Sequence, residues 1–214
     1  MRYAVRQMRF EDITQVEEID RECFHDHWPA VSYRRELSNN LARYLVAYDI
    51  DTIPSKPAVE HTEITRARHS STWILRCLLH RDKVCPPASG QRVVGTIGFW
   101  TLVGEAHIST IAVREPFRRQ GIGELLLISA IELAQMLDAT VITLEVRASN
   151  TVAQCLYHKY GFTREGVRHG YYQDREDAII MTTETVTSPQ FQRRFQQLKD
   201  VHTCMWGPGE RQLI

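Results

Sequence analysis

The sequence predicts an α/β domain of the α+β kind, with a central mixed, twisted sheet of about seven strands flanked by helices. Two patterns carry that expectation. Residues 105–147 read strand, helix, strand, so the two strands should be parallel and joined by a right-handed crossover. Strand pairs on either side, within 92–113 and 162–185, are separated by glycine-bearing turns and read as antiparallel, which makes the sheet mixed. With 214 residues the chain suits one substantial domain. We place it at 1–187, with an inserted loop or hairpin at about 50–91 and a C-terminal helical extension at 188–214.

In chain order, residues 3–7 read as a short strand, and Ile13, Val16, Ile19 and Phe24 mark an amphipathic helix starting near Glu11. Residues 31–39 suggest a second short helix, and 44–48 a second strand. Residues 50–91 break this rhythm, holding four of the eight prolines around one apolar stretch, 73–79, whose strand or helix character periodicity leaves open. Strands at 92–103 and 105–113 turn at Gly104. A basic, glycine-containing loop then opens a strong helix over 122–137, where Ile122, Leu125, Leu126, Ala130, Leu133, Ala134 and Leu137 keep helical spacing. A strand at 139–147, a short helix at 151–160 ended by Gly161, and strands at 162–167 and 178–185 follow. Ser188 and Pro189 cap a tail helix with Phe191, Phe195 and Leu198 on one face.

Charge excludes little but guides. Acidic and basic side chains number 26 each, which lacks the basic surplus of a nucleic-acid binder. The five cysteines (Cys23, Cys77, Cys85, Cys155, Cys204) are scattered without a CxxC pair, so neither a disulfide framework nor a zinc knuckle is expected. Cys23, His25 and His27 lie close together but lack a fourth ligand at zinc-like spacing, and no metal is expected. The opening residues are charged, unlike a signal peptide, and no apolar run approaches a bilayer span. The expectation is a cytoplasmic protein without membrane or nucleic-acid partners; a homodimer stays open.

Residues 118–123, Arg-Arg-Gln-Gly-Ile-Gly, lie between the strand and the long helix. Glycines there let backbone approach a ligand, and the first-turn amides of the helix, its dipole and the two arginines together favour an anion such as a pyrophosphate. The alternative is a tight turn with solvated arginines. It is neither a Walker A loop nor a dinucleotide fingerprint, since no Gly-Lys-Ser/Thr and no third glycine follow. On the strand 139–147, Ile142, Leu144 and Val146 share one face, and Val141, Thr143, Glu145 and Arg147 the other. A buried parallel strand should be nearly all apolar, so Glu145 at its ligand end is either a catalytic base or the partner of Arg147 in an ion pair. Asn150 reads as the cap of the next helix, and Tyr157 as core at the edge of its apolar stripe.

Taken together, these segments resemble the GNAT acetyltransferase superfamily, whose phosphate-loop pattern Q/R-x-x-G-x-G/A is matched by Arg118, Gly121 and Gly123. The chain is most similar to the RimI-type ribosomal-protein-alanine N-acetyltransferases of bacteria. It shares with them IAV at 111–113, RRQGIG at 118–123, LEVRASN at 144–150, LY at 156–157, YGF at 160–162, YY at 171–172 and EDA at 176–178. The resemblance implies the GNAT acyl-CoA N-acyltransferase fold and acetyl-CoA as co-substrate. It implies that Ile111, Ala112 and Val113 bind the pantetheine arm through backbone groups, between two splayed parallel strands. It places the pyrophosphate on Arg118, Arg119, Gln120, Gly121, Ile122, Gly123 and Glu124, and adds a contact from Asn150. It makes Glu145 the general base and Tyr157 the general acid. The implied acceptor is the N-terminal α-amine of a protein, most simply the alanine of a ribosomal protein. A small amine or a lysine side chain remains as an alternative acceptor, and a non-catalytic acetyl-CoA-binding module as a third reading. The 50–91 insertion and the tail depart from the short members of the family.

Overall fold

A computed structural model describes residues 1–24, 31–51 and 90–214. The strands are β1 (Tyr3–Gln7), β2 (Ala42–Asp49), β3 (Arg92–Leu102), β4 (Glu105–Val113), β5 (Val141–Arg147), β6 (Phe162–Arg168), β7 (Ala178–Thr183) and β8 (Arg211–Gln212). The helices are α1 (Ile13–Phe24), α2 (Tyr33–Glu36), α3 (Ile122–Met136), α4 (Thr151–Lys159) and α5 (Pro189–Trp206). All described strands form one sheet in the order β6-β7-β5-β4-β3-β2-β1-β8.

The expected parallel pair is β4 beside β5, and the flanking pairs β3–β4 and β6–β7 are antiparallel. Among the described residues the sheet has eight strands, against the expected about seven, because the segment after the tail helix returns to lie parallel to β1, Val5 opposite Arg211. The extension is therefore not wholly helical. The second helix is shorter than the expected 31–39 and keeps four residues. Most of the insertion expected at 50–91, including its stretch 73–79, lies outside the described residues, as do His25 and His27. The strands on either side of the insertion, β2 and β3, pair directly.

Two apolar layers sandwich the sheet. On one face α3 buries most of its circumference, from Ile122 to Ala134, against Leu45, Ile97, Ile108, Leu144 and Val146. On the other, α1 lays Ile13, Val16 and Ile19 over Tyr44, Val46, Val93 and Ala112. Beneath α1 the Arg6 guanidinium makes two hydrogen bonds to Asp12, 2.6 and 2.9 Å, with both side chains almost fully buried. The β3–β4 turn is Val103-Gly104, both at positive φ (49° and 79°), the two-residue geometry that matches the twist of a hairpin.

Candidate functional site

The site begins where β4 and β5 part. Their parallel register runs from Glu105 opposite Val141 to Ile108 opposite Leu144 and stops, although β4 continues to Val113 and β5 to Arg147. A bulge starts the separation. Gly98 of β3 faces Thr110 while Phe99 faces Ile108, so Ser109 is an extra residue, held by its hydroxyl on the Gly98 carbonyl at 3.2 Å. The bulge also resets the faces of β4. Ala106 and Ile108 join Ile111 and Val113 toward α3, while Ala112 packs with the α1 layer. Arg114 donates its amide to Val94 of β3, so by alternation the amide of Val113 turns to the open side.

A cavity of about 360 Å³ fills the gap, and Ile111, Glu145, Asn150, Tyr157 and Tyr172 are among its lining residues. The expected alternation on β5 holds, with Ile142, Leu144 and Val146 buried and the Glu145 face only partly covered. Glu145 breaks the apolar pattern because its face opens on the cavity rather than on a helix. Its carboxylate does not pair with Arg147. Oε2 lies 3.0 Å from Nε2 of His107 on β4, and Oε1 lies 3.1 Å from Nε of Arg168 on β6. The hydrogen bond from His107 holds the Glu145 carboxyl below the usual carboxylate range; burial opposes this, and the charge of Arg168 assists. Arg147 turns instead to Asp174 and Glu176, 2.7 Å from each, and stacks on the Tyr172 ring at 4.0 Å. Sequence reasoning missed His107 and Arg168. The one available signal was the odd polar residue at the α1-facing position of β4.

Tyr157 is buried, as a core residue would be, yet it also lines the cavity and packs its ring against Phe162 at 5.7 Å. Burial pushes its phenol well above the ordinary value, so it keeps its proton at neutral pH. Asn150 caps α4 as expected, its side chain accepting from the Ala153 amide at 3.2 Å, and it lines the cavity as well. Thr110, also on the wall, carries a buried hydroxyl with no hydrogen-bond partner among the described residues.

Residues 118–124 lie beyond the cavity's lining. Arg119 (φ 62°) and Gly121 (φ 75°) are left-handed, which turns the chain sharply into α3. None of the amides of residues 119–124 has an acceptor among the described residues, leaving a cluster of free donors at a helix N-terminus. Their side chains are mostly committed elsewhere. Gln120 accepts from the Tyr3 hydroxyl at 2.7 Å, Glu124 accepts from Tyr160 at 2.6 Å, and Ile122 is core. Arg118 donates Nε to the Val113 carbonyl at 3.1 Å. The side chains of Gln120, Ile122 and Glu124 thus have partners within the protein, while the Arg119 side chain is exposed beside the free amides. Gly123 has ordinary φ, and a Cβ on it would meet only Val113 Cγ2 at 3.8 Å. Nothing among the described residues requires a glycine there. The donor cluster and the parted strands suit a pyrophosphate followed by an extended arm.

Residues 13–162 match the family described as Acetyltransferase (GNAT) family. The chain is 35% identical over 180 residues to a Bacillus subtilis (strain 168) protein named, provisionally, a ribosomal protein bS18-alanine N-acetyltransferase, covering 83% of this chain and 93% of that one. An N-alpha-acetyltransferase of Sulfurisphaera tokodaii is 29% identical over 180 residues, 84% of this chain and 91% of its own. Among solved structures, a ribosomal-protein-alanine N-acetyltransferase from Escherichia coli shares the fold with TM-score 0.60 at 20% identity, covering 88% of this chain and 97% of that chain. The chain belongs to the acetyltransferase (GNAT) family, as an acetyl-CoA-dependent N-acetyltransferase with relatives of the RimI type.

Proposed function

We propose that the enzyme acetylates the N-terminal α-amine of a protein, with an alanine-first ribosomal protein as the simplest acceptor. Glu145 carries the reading: a charged carboxylate, fixed by two partners, on the wall of the cavity it shares with Tyr157. Bound acetyl-CoA supplies the activated acetyl thioester. The amides of 119–124, with Arg119, hold its pyrophosphate, while Ile111–Val113 backbone groups and Asn150 guide the arm between β4 and β5. The Val113 amide is the donor nearest in kind to an oxyanion site. Glu145 takes the proton of the incoming amine, directly or through a water, and the Tyr157 hydroxyl donates to the departing sulfur.

The choice of amine rests on chemistry. An α-amine with pKa near 7.7–8.0 is neutral roughly once in six to eleven at pH 7, whereas a lysine is neutral roughly once in 2,500. A carboxylate held below its usual range is a weak base and suits the easier proton. The B. subtilis and S. tokodaii relatives, whose names refer to an alanine and to an α-amine, point the same way. Peptides beginning with alanine or serine are expected to accept acetyl groups, while the same peptides N-terminally blocked and carrying a lysine are expected to be poor acceptors. Equal rates for both would replace the α-amine with a lysine or small amine.

A further inference from the structure

The tail helix α5 ends on the phosphate loop. His202, almost fully buried, places Nε2 3.0 Å from the Gly121 carbonyl oxygen. That oxygen can only accept, so Nε2 carries the hydrogen and donates. The same carbonyl accepts the first bond of α3, from the Leu125 amide at 2.9 Å, so His202 uses its second lone pair. One turn further on, Trp206 closes over the α-carbon of Gly121. A Cβ built there would lie 2.7 Å from both Cδ1 and Nε1 of the indole. Gly121, with Arg119, is one of the two left-handed residues of the loop and stands directly before α3.

The tail is anchored independently of this contact. Ser188 caps its start, Phe191 and Phe195 join the α3 layer, and Lys199 meets Glu132 of α3 at 3.0 Å. The far end of α5 is thereby held against a loop whose residues are not among those lining the cavity.

We propose that His202 and Trp206 are positioning residues for the coenzyme. They hold Gly121 in the left-handed conformation that presents the loop amides to the pyrophosphate, and so couple tail docking to acetyl-CoA affinity. This rests on the reading that residues 118–124 hold the pyrophosphate. The coupling is reciprocal by linkage: a docked tail that tightens acetyl-CoA binding must itself be held tighter when acetyl-CoA is bound.

Calorimetry with acetyl-CoA on the full chain tests it. Removing the His202 donor in His202→Ala is expected to weaken binding roughly 3–10-fold, the worth of one net hydrogen bond. Turnover at saturating acetyl-CoA and the KM for the acceptor peptide should stay within about twofold. His202→Gln, which returns an amide N–H to the Nε2 position, should restore affinity; a merely structural loss would not be repaired this way. Wild-type affinity in a folded His202→Ala protein overturns the proposal. If that variant does not fold, hydrogen exchange on the wild-type protein decides. Acetyl-CoA should slow exchange at residues 200–207 along with 119–124, and an unchanged tail overturns the coupling. Gly123→Val separates the two readings: if it binds acetyl-CoA normally, the pyrophosphate site itself is wrong; if it abolishes binding while His202→Ala does not weaken it, only the tail proposal fails.

Discussion

Replacing Glu145 by Gln removes a proton acceptor while keeping shape, and the single amide oxygen keeps one of the two contacts, with Arg168 or with His107. Loss of a general base costs about 10²–10⁴ in rate, roughly 3–5 kcal/mol of transition-state stabilisation. The structure argues for the lower end. His107 and Arg168 depress the carboxyl, and a weaker base takes a smaller share of the barrier. An α-amine acceptor, neutral roughly once in six to eleven at pH 7, would ask little of it. We expect kcat to fall about 10²-fold, with acetyl-CoA affinity unchanged because the loop at 118–124 is remote from the substitution. The pH profile has a definite sign. Because the folded carboxyl titrates below its ordinary value, its acidic limb lies below about pH 4.5, out of the assay range. The rise of rate between pH 6 and 8 belongs to the acceptor amine and should persist in parallel in wild type and Glu145→Gln. The same shift means the Glu145 charge stabilises the fold above its unfolded pKa and loses that contribution as pH falls through the folded one. A stopped assay with an alanine-first peptide, read from pH 6 to 8.5, settles the matter. Wild-type kcat in a folded, acetyl-CoA-binding Glu145→Gln protein would falsify the base assignment and leave the carboxylate as a brace for His107 and Arg168.

Four further outcomes are expected. Gly123→Ala should leave acetyl-CoA binding nearly intact and raise the melting temperature slightly, since alanine favours a helix by up to about 1 kcal/mol over glycine, whereas Gly123→Val should block the ligand's approach. Thr110→Val should raise stability by about 1–3 kcal/mol in thermal melts, because it removes a buried hydroxyl that has no partner among the described residues. Val103→Asn, at a turn position with φ 49°, should stabilise by about 1 kcal/mol, as asparagine tolerates the left-handed region that a β-branched residue resists. Asp12→Ala should cost about 3–5 kcal/mol by stranding the buried Arg6, a drop of roughly 10 °C or more in the melting temperature.

The expected elements that held, such as α3 and the β3–β4 hairpin, are those set by local pattern. The periodicity of 122–137 and the glycine at 104 each act within a few residues. Glu145 was legible as an anomaly for the same reason, because alternation along a single strand exposes it. Its partners were not. His107 meets Glu145 only because β4 and β5 are parallel in one register and Ser109 bulges just beyond, and neither register nor bulge is written in either strand alone. Arg147 was the near neighbour on the same face, and proximity along a strand proved a poor guide against the carboxylates of 174 and 176. The return of the tail escaped for a similar reason: Arg211–Gln212 is too short for any pattern, and its pairing with β1 is a long-range event.

That pairing sets a clock on biosynthesis. The Gln7 amide side chain bonds the Leu213 carbonyl across 206 residues of sequence, and the Val5 amide bonds the Glu210 carbonyl beside it. A ribosome adding about 5–20 residues each second needs on the order of 10–40 s to make the stretch between them. Until then the outer edge of β1 stands open on a nascent chain, with unpaired amides and carbonyls able to recruit a neighbouring strand. The hazard for this protein is greatest on a crowded polysome, where many copies wait at the same unfinished stage. Slowing elongation should therefore lower its soluble yield more than a comparable change made after release.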